Sequence, residues 1–452
     1  MNLIQKECLN LQSFKSECTI KLKTVSSKIL IITYYWPPAG GPGVQRWLKF
    51  VKYLPEFGIE PIVYIPENPS YPIVDKNLIV EVSKEVVILR NSIFEPYQLA
   101  SFFSKKNTKK ISSGIIPSIK KQTVVERILL WIRGNLFIPD ARFLWVHPSV
   151  SYLEKYIKEN KIETIVTTGP PHSLHLIGLQ LKNKNKLNWI ADFRDPWTTI
   201  GYHKALKLSN YASKKHKKLE KEVLNSADQI VVTSITTKTE FEALTKQPIT
   251  ILTNGYDVEQ VAQQSLDTTF SLAHIGSLLS ERNPIILWEC LVELLQENPS
   301  FQNDLELKLI GAVSNDVLDT LHHFQLLKFV TNFGYVSHKE ALEHQRKSQV
   351  LLLIEIDSPE TKSILPGKLF EYMVSERPIL AIGPSNSDFS AIITNTNTGV
   401  FFDYTEKAKL KAVLLDYYHQ FLEGKLKSYP VGLQYYSRRS ITERLAQLIK
   451  SL

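Results

Sequence analysis

The chain has 452 residues, 43% hydrophobic and 22% charged, with a formal net charge of +9 and three cysteines. This length exceeds one ordinary hydrophobic core and implies at least two lobes, and the composition is that of a globular protein. No apolar run reaches the roughly 18 residues of a membrane span, and the unclustered Cys8, Cys18 and Cys290 argue against a structural zinc site and for a reducing compartment, the cytoplasm.

Charge divides the chain. Residues 28–257 hold 32 Lys+Arg against 20 Asp+Glu, a balance of +12, whereas residues 258–452 hold 18 against 23, a balance of −5. The first half therefore suits an anionic surface, and the second does not. No nucleic-acid-binding motif accompanies the basic half, so nucleic acid is not expected as a partner. Residues 1–27 mix Lys, Glu and Cys without an apolar core segment, which is not a signal-peptide pattern; they read as an N-terminal extension without fixed structure.

From residue 28 the elements alternate. A short apolar strand at 28–34 ends in a Pro/Gly loop containing Gly40, Gly41 and Gly43, followed by a helical pattern from Val44 to Phe57 that begins with Gln45 and Arg46. The loop is not a GxGxxG and gives no support to a dehydrogenase; its glycines would let backbone approach a ligand closely. Strands are then predicted at 61–65, 164–168, 188–192, 229–233 and 249–252, giving the strand–loop–helix–strand order of a doubly wound parallel sheet. Asn254-Gly255-Tyr256-Asp257 reads as a domain junction. The rhythm restarts with strands at 270–275, 305–310, 330–333, 350–354 and 378–382, and a final amphipathic helix spans 437–452 with Ile441, Leu445, Leu448 and Ile449 on one stripe.

One segment departs from this order. Lys105, Lys106, Lys109, Lys110, Lys120 and Lys121 form a basic run, followed by a Trp- and Arg-bearing helical pattern at 124–133. A membrane-surface contact would use such an insertion, and so would a solvated loop ahead of a core-packed helix.

Candidate chemistry sits where strands end, since open α/β sheets bind ligands at their carboxyl edges. Thr168-Gly169-Pro170-Pro171-His172 and Asp192-Phe193-Arg194-Asp195 both follow strands. His172 there is either a site histidine or a packing one. The two acids flanking Arg194 would orient sugar hydroxyls or form an internal salt-bridge network. Glu355 and Asp357 read as loop acids. The most informative run is Leu365-Pro366-Gly367-Lys368-Leu369-Phe370-Glu371-Tyr372-Met373, which places a cation in the first turn of a predicted helix. A helix N-terminus is electropositive, so an anion held by backbone N–H groups and Lys368 would remove the conflict. Glu371, three residues on, shares that face and would accept from sugar hydroxyls; a plain Lys–Glu surface pair is the alternative. Gly276, Ser277 and Arg282 precede another helix, where Arg282 would share the phosphate.

Together, Tyr35-Trp36-Pro37-Pro38 with the glycine loop, Asn254-Gly255-Tyr256-Asp257, Gly276-Ser277-Leu278 and the Pro366–Met373 run resemble the retaining family 4 glycosyltransferases. The likeness extends over nearly the whole chain from Lys28. It implies a GT-B fold, α/β, with two Rossmann-like doubly wound parallel-sheet domains facing a cleft. Residues 28–257 would hold the acceptor and 258–436 a nucleotide-sugar donor, and the helix at 437–452 would cross back to the first domain. In that family the glutamate matching Glu371 binds the donor ribose, and basic residues matching Arg282 and Lys368 hold the diphosphate. Gly276, Ser277, Gly367 and Leu369 would complete the donor site. His172, Arg194 and Asp195 would be catalytic, and Gly40, Gly41, Gly43, Gln45 and Arg46 would form the acceptor-side loop. The family pairs two glutamates eight apart, but Ser363 stands opposite Glu371, a departure that removes one carboxylate from the donor sugar.

The expected activity is metal-independent transfer of a hexose, with retention, to a saccharide or lipid-linked acceptor. No cofactor is expected beyond the donor substrate. The expected location is cytoplasmic, with 105–133 resting on an anionic membrane surface. The rival is a non-catalytic GT-B scaffold that binds a saccharide or a partner enzyme. A sugar-nucleotide epimerase would have no use for the basic insertion.

Overall fold

The computed structural model describes residues 27–95, 124–201, 203, 206–257 and 264–452. The lysines of 105–121 lie outside the described residues; the helix expected after them is present as Val124–Asn135.

Two parallel sheets organise the molecule. The first contains β1 (Ser27–Ile32), β2 (Ile59–Pro66), β3 (Val87–Asn91), β4 (Thr164–Gly169), β5 (Asn188–Phe193), β6 (Gln229–Val232) and β7 (Ile249–Ile251), in the order β3-β2-β1-β4-β5-β6-β7. The second contains β8 (Phe270–Ile275), β9 (Leu305–Ile310), β10 (Val330–Gly334), β11 (Val350–Ile354), β12 (Ile379–Ile382) and β13 (Gly399–Phe402), in the order β10-β9-β8-β11-β12-β13. Every pairing is parallel.

The interior strands are apolar on both sides because helices cover both faces. In β1, Leu30 and Ile32 enter one core cluster while Ile29 and Ile31 enter the cluster on the opposite face. In β11, Leu352 and Ile354 point one way and Leu351 and Leu353 the other. Strand order reverses between β1 and β4 in the first lobe and between β8 and β11 in the second. These are the topological switch points at which such sheets open a crevice.

Of the four edge strands, β3 and β13 were not among the sequence expectations. β3 is largely half-exposed, and both are short, so neither carries the fully buried apolar run that marks the interior strands.

The chain crosses between lobes at 254–257 and again at 436–438, and the two crossings are hydrogen-bonded to each other. Tyr256 N–H donates to the Tyr436 carbonyl at 3.2 Å, and Arg438 N–H donates to the Tyr256 carbonyl at 2.9 Å. A Cβ on Gly255 would lie 2.4 Å from the Tyr436 oxygen, which explains a glycine in that turn. The last helix, Arg438–Lys450, then lays Ile441, Leu445 and Ile449 into the first lobe's core beside Trp47, Leu48 and Val51. Burying each of those three side chains contributes roughly 1.5–3 kcal/mol, so the C-terminus fastens the lobes together. No helix among the described residues is long and apolar enough to cross a membrane.

Candidate active site

The carboxyl edges of the two sheets face one crevice. Its second-lobe wall is the loop after β8, the loop after β11 and the short helix Gly367–Met373. Leu369, Phe370, Tyr372 and Met373 anchor that helix in the core, which leaves Gly367, Lys368 and Glu371 on the cleft side. Lys368 Nζ lies 3.0 Å from the Ile275 carbonyl and 3.2 Å from His274 Nε2. Burial, with a smaller push from Arg282 and an opposing pull from Glu355, brings the Lys368 pKa down to about 7. Burial and the neighbouring Lys368 hold His274 well below the usual histidine range, so its imidazole is neutral and can accept from the ammonium.

Arg282 donates from Nε and Nη2 to the buried Glu355 carboxylate at 3.0 and 3.2 Å, yet its side chain stays 29% exposed, on the wall of the cleft. Glu355 is thus a structural partner of the cleft arginine, where the sequence suggested a loop acid. Glu371 accepts from Gln345 Nε2 at 3.3 Å and borders two adjoining pockets. No ion pair joins Lys368 to Glu371 among the described residues, so the plain surface pair is not formed.

The first-lobe wall opposes these groups. One pocket of about 270 Å³ runs between Gly41, Gln45, Arg46 and Lys49 on one side and Gly367, Lys368 and Glu371 on the other. A second, of about 480 Å³, runs between Gly43, Arg194 and Asp195 and the Gly276, Ser277, Arg282 and Lys368 side. Lys368 belongs to both. Asp195 is pushed above the usual carboxyl range by burial, with Arg194 partly offsetting it. Arg194 donates to the Pro170 carbonyl and lies over the Tyr35 ring, 5.8 Å from its centroid. A Cβ on Gly43 would fall 1.7 Å from Arg194 Nη1. The glycine therefore makes room for the arginine at the edge of this pocket.

Several expected roles change. His172 is only 4% exposed, stacks parallel on Trp197 at 4.9 Å, and has no hydrogen-bond partner on either ring nitrogen among the described residues. It packs against Gly169 and is not among the residues lining the two cleft pockets described above. Leu369 is a core residue, and its N–H is taken by the Pro366 carbonyl. Gly40 packs against Ile73 and Asp75, anchoring the loop. Arg46 is committed to Asp192 at 2.8 Å and to the Thr253 carbonyl at 2.9 Å. Asp192 also accepts from Trp47 Nε1 and Thr168 Oγ1, so of the two acids flanking Arg194 this one forms the internal network. The helix carrying Lys368 has seven residues, too short for much macrodipole. Lys368 and Arg282, more than the helix end, are the groups this wall offers to an anion.

Sequence reasoning missed Arg438. It enters the cleft from the start of the last helix, donates to the Gly255 carbonyl and Gln45, and pairs with Asp257 at 3.2 Å. An arginine just past a Ser N-cap was visible in the sequence, but its destination depends on the return crossing.

Residues 116–260 match the model of Glycosyltransferase Family 4. Comparison with curated proteins gave no match. Among solved structures, sucrose-phosphate synthase from Thermosynechococcus elongatus is 14% identical, with 94% of this chain and 98% of that chain covered at a TM-score of 0.57. A glycosyltransferase from Rickettsia africae ESF-5 is 13% identical, with 94% and 98% covered at 0.59. An S. aureus TarM mutant in complex with Fondaparinux, alpha-GlcNAc-glycerol and UDP is 13% identical, with 93% and 99% covered at 0.54. Two parallel-sheet lobes and a cleft between their carboxyl edges, shared with these structures, lead to one assignment: the chain has the GT-B fold, and its residues 116–260 are similar to Glycosyltransferase Family 4.

Proposed function

We propose that this chain moves a hexose-type sugar, with retention, from a nucleotide-sugar to a hydroxyl of a saccharide or lipid-linked acceptor. The observation that carries the reading is the convergence of Lys368, Arg282 and Glu371 on one interlobe cleft. As the glycosidic bond to the donor breaks, the diphosphate gains charge and the sugar becomes oxocarbenium-like. Lys368 and Arg282 face that developing charge and would stabilise it without a metal ion. Glu371 accepts from the donor ribose. Ser363 supplies no carboxylate, so the acceptor proton passes to the departing phosphate. Arg194 and Asp195, across the larger pocket from Lys368, orient acceptor or sugar hydroxyls, and His172 supports that loop from below. The TarM complex, which contains UDP and a saccharide, supports this kind of ligand pair.

The test is a nucleotide-sugar panel screened by native mass spectrometry, followed by transfer to saccharide and lipid-linked acceptors with the product anomer read by NMR. The reading expects binding, transfer with the donor's anomeric configuration, and turnover unchanged by chelator. An inverted product contradicts retention, and chelator-sensitive turnover contradicts metal independence. Binding without transfer to any acceptor favours the scaffold.

A further inference from the structure

The helix Asn210–Ser226 exposes five lysines, of which Lys215 lies over the Tyr211 ring, 6.0 Å from its centroid. Ala212, His216, Glu220, Val223 and Leu224 form its buried face. At 3.6 residues per turn, Lys214, Lys215, Lys217, Lys218 and Lys221 fan across the opposite face together with Tyr211. All six are exposed, Tyr211 at 71%. None of the five lysines is ion-paired among the described residues. The carboxylate of Glu220 turns inward to Thr198.

This face does not stand alone. Asn135, at the end of the Val124–Asn135 helix, accepts from Ser209 N–H at 2.7 Å and donates to the Lys207 carbonyl at 3.3 Å. Leu130 and Leu206 form a small core under the joint. The start of the lysine helix is therefore fastened to the end of the Val124–Asn135 helix. That second helix leaves Ile128 54% and Trp131 46% exposed one turn apart, and Leu136 just beyond it is 60% exposed. Large apolar side chains next to a lysine fan, with Tyr and Trp among them, have the chemistry of an interface between headgroups and acyl chains. A soluble polyanion would use the lysines but leave Ile128, Trp131 and Leu136 wet.

We infer that these two joined helices form a docking surface for an anionic lipid bilayer, with the lysine fan against the headgroups and Trp131, Ile128 and Leu136 inserted at the acyl boundary. The surface joins the Val124–Asn135 helix to one that the sequence did not single out. It stands independently of the transfer reading, since none of these residues lines the cleft. A lipid-linked acceptor would meet the enzyme there at the leaflet.

The test uses the full chain in co-sedimentation with vesicles of phosphatidylcholine alone and of phosphatidylcholine mixed with phosphatidylglycerol. The expected result is binding to the mixed vesicles that falls with added salt. Replacing Lys214, Lys217 and Lys218 together by Gln lowers that binding about a hundredfold, at about fivefold per lysine. Trp131→Ala weakens the residual binding that salt does not remove. Nucleoside diphosphate release with a soluble acceptor, measured in parallel, stays unchanged in both variants, so a docking failure is distinguishable from a failure of catalysis. Equal sedimentation of the parent and triple variant overturns the inference, as does binding of the parent to single-stranded nucleic acid but not to mixed vesicles.

Discussion

Nucleoside diphosphate binding should draw a proton onto Lys368. In the free protein its pKa lies near 7, mainly through burial, so at pH of about 8 roughly nine in ten Lys368 side chains are neutral. A diphosphate docked against Nζ favours the ammonium and restores the ordinary lysine range of about 10.4. Binding then takes up about 0.9 proton at that pH, and affinity falls about tenfold, or about 1.4 kcal/mol, per pH unit above 7 until the pKa of the complex is reached. The sign for folding is consistent with this. The folded pKa lies below the unfolded one, so between about 7 and about 10.4 the unfolded chain holds the extra proton, and this group's contribution to stability rises with pH across that window. Titration calorimetry in HEPES and in Tris at matched pH reads proton uptake from the difference in apparent enthalpy. The parent should show uptake and Lys368→Met should bind weakly with none. Identical apparent enthalpies in the two buffers for the parent, or undiminished uptake in Lys368→Met, would refute the reasoning.

Three further outcomes follow from the geometry. Gly43→Ala puts a methyl where Arg194 lies, so the guanidinium must leave its place; turnover should fall on the order of a hundredfold with the circular dichroism spectrum retained, because small misplacements in a site cost that much. Asp192→Ala strands the buried Arg46, Trp47 and Thr168 donors, and urea denaturation should show a loss of about 3–5 kcal/mol; an unchanged midpoint would contradict the network. Glu371→Gln should weaken nucleoside diphosphate binding by about ten- to a hundredfold, as expected for charged hydrogen bonds. A 2′-deoxy ligand should then lose little more in that variant than the ribose form does, since the two changes remove the same contact.

Much of the fold was legible because interior strands of a doubly wound sheet are buried on both faces. Runs such as Val350–Ile354 and Leu305–Ile310 announce themselves, and the turns after them mark the carboxyl edges. The edge strands β3 and β13 do not, since short and partly wetted segments carry no such run. Lys368 and Glu371 were readable because Pro-Gly before an apolar pattern fixes both register and face. The partners were not. Glu355 meets Arg282 across 73 positions, His274 meets Lys368 across 94, and Arg438 reaches Gln45 across 393. Local pattern holds no information about such pairings. His172 shows the same limit: its place after a strand was legible, but its stacking on Trp197, supplied by the next strand's loop, was not.

The most direct measurement is nucleoside diphosphate release from a nucleotide-sugar in the presence of acceptor, for the parent, Lys368→Ala and Glu371→Ala. If the donor docks between the lobes as described, both substitutions strongly reduce release while circular dichroism stays unchanged. Release at the parent rate in both variants would place the donor elsewhere and contradict the account.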